Sequence, residues 1–279
     1  MSTFSVSEKS ICHYVRAKYY RTPEGALRLA SVQAFSEPRF RESGWENREK
    51  PNKCSDVDSS DEVEEIDEKT APEWANIERA VRRARKHAFD FVMCNHDLDT
   101  FVTFTYSPES VSDKADYDEC YKKLKVWLSN RVERRGLKYV LVPERTKAGD
   151  IHFHAIMNAG ALALTQARSA KSGRALTHNG KPIYNVKDWV FGFSTAEYIT
   201  RLVGGEDERA AVSKYIFKYM GKQAGQKIGG RYVLTGGKLI EPVVVYGDAP
   251  EEFLGDLKPV YNNVVELDSG LVYREWSFV

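Results

Sequence analysis

Two short stretches of this chain carry side chains suited to chemistry on phosphate. Ile151-His152-Phe153-His154 lies in a strand-like run, and Tyr215-Ile216-Phe217-Lys218-Tyr219 lies further on in a helix-like one. Side chains alternate along a strand, so His152 and His154 share a face, their origins roughly 6–7 Å apart, while Phe153 points away. Two imidazoles so placed can hold a divalent ion, although the pair alone is also what an ordinary sheet face would carry. Residues 138–144 and 151–157 read as strands, and the Gly-containing separator Thr146-Lys147-Ala148-Gly149-Asp150 joins them as an antiparallel hairpin. A five-residue loop sets Glu144 directly opposite His152, with cross-strand Cβ atoms about 4.5–5.5 Å apart. Glu144, His152 and His154 are therefore candidate metal ligands, with positions left for water and a phosphate oxygen.

The second stretch supplies candidate nucleophiles. Tyr215 and Tyr219 are four apart, which stacks them on one helical face, and Lys218 and Lys222 follow each tyrosine at the third position. A free phenol has a pKa of about 10, so only about one part in a thousand is phenolate at neutral pH. A lysine or metal nearby favours ionisation, and a metal also stabilises charge on the phosphate in the transition state. Attack on phosphorus would give a phosphotyrosine and release a 3′-hydroxyl. The bond energy stays in the link, so the strand can be rejoined without ATP, and a second tyrosine permits a second cleavage. Taken alone, the segment also reads as an amphipathic helix with packed tyrosines and solvated lysines.

The elements that must position these groups follow from periodicity. Residues 11–34 read as a hairpin about Thr22-Pro23-Glu24-Gly25. A helix is expected from Thr70, where Thr70 and Glu73 have capping-box spacing, with Trp74, Ile77, Val81, Ala84 and Ala88 as its buried stripe. Phe101–Tyr106 reads as a strand and Tyr117–Arg135 as a helix stopped by Gly136. Trp189–Phe193 and Glu197–Leu202 are strand candidates, and a helix is expected over Asp207–Gln223. β-rich sequence closes the chain. This order predicts an α+β fold with a mainly antiparallel sheet. Four segments follow: a hairpin appendage over 1–35, an acidic linker over 36–69, a catalytic domain over 70–225 and a β-rich extension over 226–279.

The formal net charge of +1 conceals segregation. Residues 55–68 (SDVDSSDEVEEIDE) hold eight acidic and no basic residues, leaving +9 on the remainder. Such a run reads as a solvated segment. No stretch is apolar enough to span a membrane, the start of the chain lacks secretory-signal character, and the scattered cysteines suit a reducing compartment, so a cytoplasmic location is expected.

In combination these residues resemble the HUH endonuclease superfamily, specifically the rolling-circle replication initiators of single-stranded DNA phages and plasmids. Phe101-Val102-Thr103-Phe104-Thr105-Tyr106 looks like its first motif, Ile151-His152-Phe153-His154 like its metal-binding histidine motif, and Tyr215-Ile216-Phe217-Lys218-Tyr219 like its two-tyrosine motif. Glu144 matches an upstream acidic ligand of related viral initiators. The Tyr139–Arg145 and Trp189–Ser194 strings are also similar to phage replication-associated proteins. The resemblance covers about residues 90–225 and implies a central five-stranded antiparallel sheet flanked by helices, with Mg2+ or Mn2+ as the ion. It further implies single-stranded or hairpin origin DNA as substrate, nicked with covalent attachment to the new 5′ end. Tyr215, which begins the first Tyr-x-x-Lys, is expected to make the initiating cut and Tyr219 the transfer, unless Tyr219 merely packs. Lys218 is expected to contact phosphate or orient a tyrosine. No Gly-x-x-x-x-Gly-Lys-Ser/Thr motif is present, so a host helicase and polymerase are implied partners. A relaxase or transposase would share this chemistry. A non-catalytic single-strand binding protein or an unrelated metallohydrolase would not form the covalent link.

Overall fold

The computed structural model describes residues 11–41, 73–199, 210–213, 228–266 and 272–278. In chain order the main elements are β1 (Ile11–Arg21), β2 (Leu27–Arg41), α1 (Glu73–Cys94), β3 (Thr100–Phe104), α2 (Tyr117–Arg135), β4 (Tyr139–Arg145) and β5 (Ile151–Met157). Four short strands follow, β6 (Leu164–Gln166), β7 (Thr177–His178), β8 (Lys181–Pro182) and β9 (Tyr184–Val186), then β10 (Ser194–Tyr198), β11 (Leu234–Gly236) and β12 (Val243–Gly247). The last strands are β13 (Tyr261–Glu266) and β14 (Val272–Ser277). Two compact units result, residues 1–67 with 242–279, and residues 68–241.

The first unit is a five-stranded sheet in the order β12-β1-β2-β14-β13. The β1–β2 turn lies where the sequence puts it, closed by the Gly25 N–H donating to the Thr22 carbonyl at 2.9 Å, with Gly25 at φ +84°. β2 runs on to Arg41, into the stretch read as linker. Pro38 falls where the β1–β2 register shifts, between the Val15–Ala34 and His13–Arg39 pairs, and an irregularity of this kind tolerates a residue that cannot donate to the ladder. The C-terminal strands β12 and β14 pair with β1 and β2, so hairpin and extension share one sheet and one core of Val15, Ala17, Leu29, Val32 and Phe278. The acidic run 55–68 and the capping residue Thr70 lie outside the described residues.

The second unit is α+β, as expected, around an antiparallel sheet of seven strands rather than five, in the order β11-β4-β5-β3-β10-β9-β6. At its centre β3, α2 and β4 form a split β–α–β unit with β5 inserted between the two strands. α2 starts and stops for local reasons. The Asp116 carboxylate accepts from the Asp118 and Glu119 N–H groups, and Gly136 ends the helix in the left-handed region at φ 65°. Its Cys120, Leu124, Trp127 and Leu128 pack with Phe104, Phe153 and Ala155 on one face of the sheet. α1 lays Val81, Ala88, Phe91 and Val92 on the opposite face, against Val140, Val142 and Ile156. Burying both faces makes β5 apolar except at two positions, His152 and His154.

Trp189–Phe193, expected as a strand, forms a loop instead. Trp189 is drawn into the core under β3, and the strand begins only at Ser194. The Glu197–Leu202 candidate corresponds to β10, which ends at Tyr198. No helix among the described residues is long and apolar enough to cross a membrane.

Candidate active site

The β4–β5 hairpin closes through the Thr146 N–H to the Asp150 carbonyl at 2.9 Å and the Gly149 N–H to the Thr146 carbonyl at 3.0 Å. With this loop, Glu144 pairs with His152 and Val142 with His154, the register that the five-residue separator requires. Glu144, His152 and His154 therefore lie on one face, beyond the end of the sheet that α1 covers. The Glu144 side chain is 21% exposed and that of His154 is 13% exposed, so both are reachable yet mostly out of water.

Their contacts are specific. Glu144 Oε2 lies 2.5 Å from His154 Nε2, a diagonal contact across the hairpin. On its other side His154 is gripped by β3. Thr103 is its cross-strand partner, and Thr103 Oγ1 and His154 Nδ1 are hydrogen-bonded at 3.0 Å. Phe101 stacks its ring nearly parallel to that imidazole at a centroid distance of 5.9 Å. The His152 ring stands 6.5 Å from that of His154. Burial, together with the neighbouring His154, holds the His152 pKa below the usual histidine range, only partly offset by Glu144 and Asp150. His152 is accordingly neutral at pH 7, the form whose ring nitrogen can donate to a metal.

Two imidazoles and a carboxylate on one face are a suitable donor set for a divalent ion, and Thr103 is placed to orient a ligating His154 from behind. In the geometry as it stands Glu144 and His154 satisfy each other directly. Among the described residues no three His, Cys, Asp or Glu side chains gather closely enough to enclose an ion.

Tyr215, Lys218 and Tyr219 lie outside the described residues. Residues 210–213, just before them, are helical, and Val212 packs into the cluster of Val142, Ile156 and Phe101 on the histidine face. Three described tyrosines are unsuited to nucleophilic attack. Burial pushes the pKa of Tyr106 and Tyr117 far up and raises that of Tyr198, which disfavours the phenolate at each. Tyr106 is instead structural, its hydroxyl donating to the Cys120 carbonyl at 2.6 Å.

Sequence reasoning named Thr103 only as part of a strand. Its alternation with Phe101 was visible, but its neighbour depends on β3 pairing with β5, a contact between residues 51 apart. Thr103→Val should leave the fold intact while lowering DNA nicking about tenfold, as loss of an orienting partner typically does, and Thr103→Ser should restore it. Equal rates for wild type and Thr103→Val would remove the residue from the site.

The family model for the replication-associated protein ORF2 group matches residues 99–224. That span contains Glu144, His152, His154, Tyr215, Lys218 and Tyr219, and it includes no residue of the first unit. The match supports a role in DNA replication. No curated protein and no solved structure matches the chain.

Proposed function

We propose that this protein is a replication-initiation endonuclease that nicks and rejoins single-stranded origin DNA through a 5′-phosphotyrosine, driving rolling-circle replication. The observation that carries the reading is the convergence of Glu144 and His154, with His152 in register beside them, on one sheet face within the segment that matches a replication-associated family. Glu144, His152 and His154 would hold Mg2+ or Mn2+ in place of the direct Glu144–His154 contact. Once bound, such an ion polarises a phosphate oxygen and stabilises the charge that builds up there.

The remaining chemistry belongs to the chain. The Tyr215 hydroxyl gives up its proton and its oxygen bonds to phosphorus. The bond from phosphorus to the 3′ oxygen breaks, and that oxygen leaves with the electron pair and takes up a proton. Tyr219 performs the second transfer, and Lys218 sits by sequence position between the two, where an ammonium group favours phenolate and phosphate alike. Origin DNA, single-stranded or in a hairpin, is the substrate, and a host helicase and polymerase extend the freed 3′ end.

The test uses single-stranded oligonucleotides tiling the DNA that encodes this protein, incubated with protein and Mn2+ and resolved on a denaturing gel. Wild type should yield a covalent protein–DNA adduct with one tile. Chelator should abolish it, and so should combining Tyr215→Phe with Tyr219→Phe. Cleavage without an adduct would indicate a metallohydrolase. Binding that persists in chelator with no cleavage of any tile would indicate a single-strand binding module.

A further inference from the structure

A solvent-exposed phenylalanine shares the sheet face of the candidate site, and the loop that carries it is unusually well fixed. β10 pairs with β3 so that Ser194 meets Phe104 and Thr195 meets Thr103. β3 in turn pairs with β5 so that Phe104 meets Phe153 and Thr103 meets His154. Ser194, Phe104 and Phe153 are buried on the α2 face, whereas Thr195, Thr103 and His154 occupy the other. One residue further, the Thr105 N–H donates to the Phe193 carbonyl at 2.9 Å. Alternation then puts Thr105 and Phe193 on the histidine face, in the row that holds His152 and Glu144. Phe193 is two strand spacings from His152, about 10 Å.

Phe193 is 80% exposed, and Val190 in the same loop is 76% exposed. A phenylalanine left in water loses the benefit of burial and is ordinarily avoided unless it has a partner. This one is not on a loose tether. The Thr105 hydroxyl also donates to the Phe193 carbonyl at 3.0 Å, and the Ser107 N–H donates to the Phe191 carbonyl at 2.9 Å. Trp189, beneath the loop, donates its indole N–H to the Thr105 carbonyl at 3.1 Å. Gly192 lies so close to β3 that a Cβ there would stand 2.4 Å from the Thr105 carbonyl oxygen, so only glycine permits this approach. At the rim, Lys123 holds its ammonium 5.7 Å from the Phe191 ring centre, adding positive charge beside the loop.

A rigid exposed ring on an open sheet face, next to cationic charge and a candidate phosphate-cleaving site, is the arrangement that holds unstacked nucleobases. We propose that Phe193 is a base-stacking platform, seating one base of the single-stranded substrate so that a neighbouring phosphate reaches the Glu144–His152–His154 row. The proposal rests on the endonuclease reading for its substrate, but it concerns binding and is tested apart from cleavage.

Anisotropy of a fluorescein-labelled oligothymidine of about 20 nucleotides, read in chelator, measures binding without chemistry. Phe193→Ala should weaken binding about tenfold and Phe193→Trp should preserve or strengthen it, with the melting temperature unchanged in both because the ring buries nothing. An abasic site walked along the strand adds a readout specific to stacking. At one position it should weaken wild type but cost Phe193→Ala nothing further. Equal binding by wild type and Phe193→Ala would overturn the platform and leave the endonuclease reading standing. Normal binding by Phe193→Ala, accompanied by dissociation of a wild-type dimer, would assign the ring to self-association and equally overturn it. Loss of covalent adduct formation with the stacking pattern intact would remove the endonuclease reading alone.

Discussion

His154→Ala should lower the rate of oligonucleotide nicking at least a hundredfold while leaving binding of the same strand in chelator within about twofold of wild type. His154 is the residue on which the site converges, touching Glu144 through Nε2, Thr103 through Nδ1 and Phe101 across its ring face. Truncation removes one ligand and leaves the Glu144 carboxylate, mostly withdrawn from water, without its diagonal partner. The loss should therefore exceed the tenfold expected from Thr103→Val, which disturbs orientation alone. Glu144→Gln separates charge from shape, because an amide can still bond to the imidazole but is a far weaker ligand for a hard cation. Its nicking should fall comparably, and raising Mn2+ should restore part of the Glu144→Gln rate but none of that lost in a variant lacking both histidines. A His154→Ala protein that nicks at the wild-type rate would end the assignment of this face as the catalytic one.

Trp189→Ala should destabilise the second unit by about 3–5 kcal/mol, the usual cost of emptying a large aromatic site in a core. For a unit of this size that corresponds to a fall of roughly 10 °C in its melting transition. The indole is 4% exposed and packs against Phe104, Phe191, Tyr106 and Trp127, with ring centroids 4.6, 5.1, 5.4 and 5.8 Å away. It also satisfies the last carbonyl beyond β3, at Thr105. The same substitution should loosen the loop that presents Phe193, so amide exchange should quicken over 190–193 more than over α1 on the opposite face. Trp189→Phe refills most of the volume and should cost markedly less. An unchanged melting temperature for Trp189→Ala would mean that the loop is not anchored through this ring.

What could be read from the sequence was local. Loop length set the β4–β5 register, so Glu144 opposite His152 followed from counting five residues, and period-two alternation put both histidines on one face. The helical period, with an acidic residue before it and Gly136 after it, delimited α2 to the residue. These features depend on groups a few positions apart, for which sequence spacing and spatial spacing are nearly the same thing.

Distant pairing, by contrast, was decided only by the tertiary structure. Insertion of β5 between β3 and β4 brought Thr103 and Phe101 to His154, and nothing near either motif encodes that adjacency. Burial of Trp189 under β3 bent a strand-like string into a loop and left Phe193 in water on the histidine face. The N-terminal hairpin and the C-terminal strands, read as separate segments, joined in one sheet because neither can bury an apolar face or pair its edges alone. Residue types and short spacings thus specified which chemistry this chain could perform, whereas strand order and burial determined which side chains stand around it.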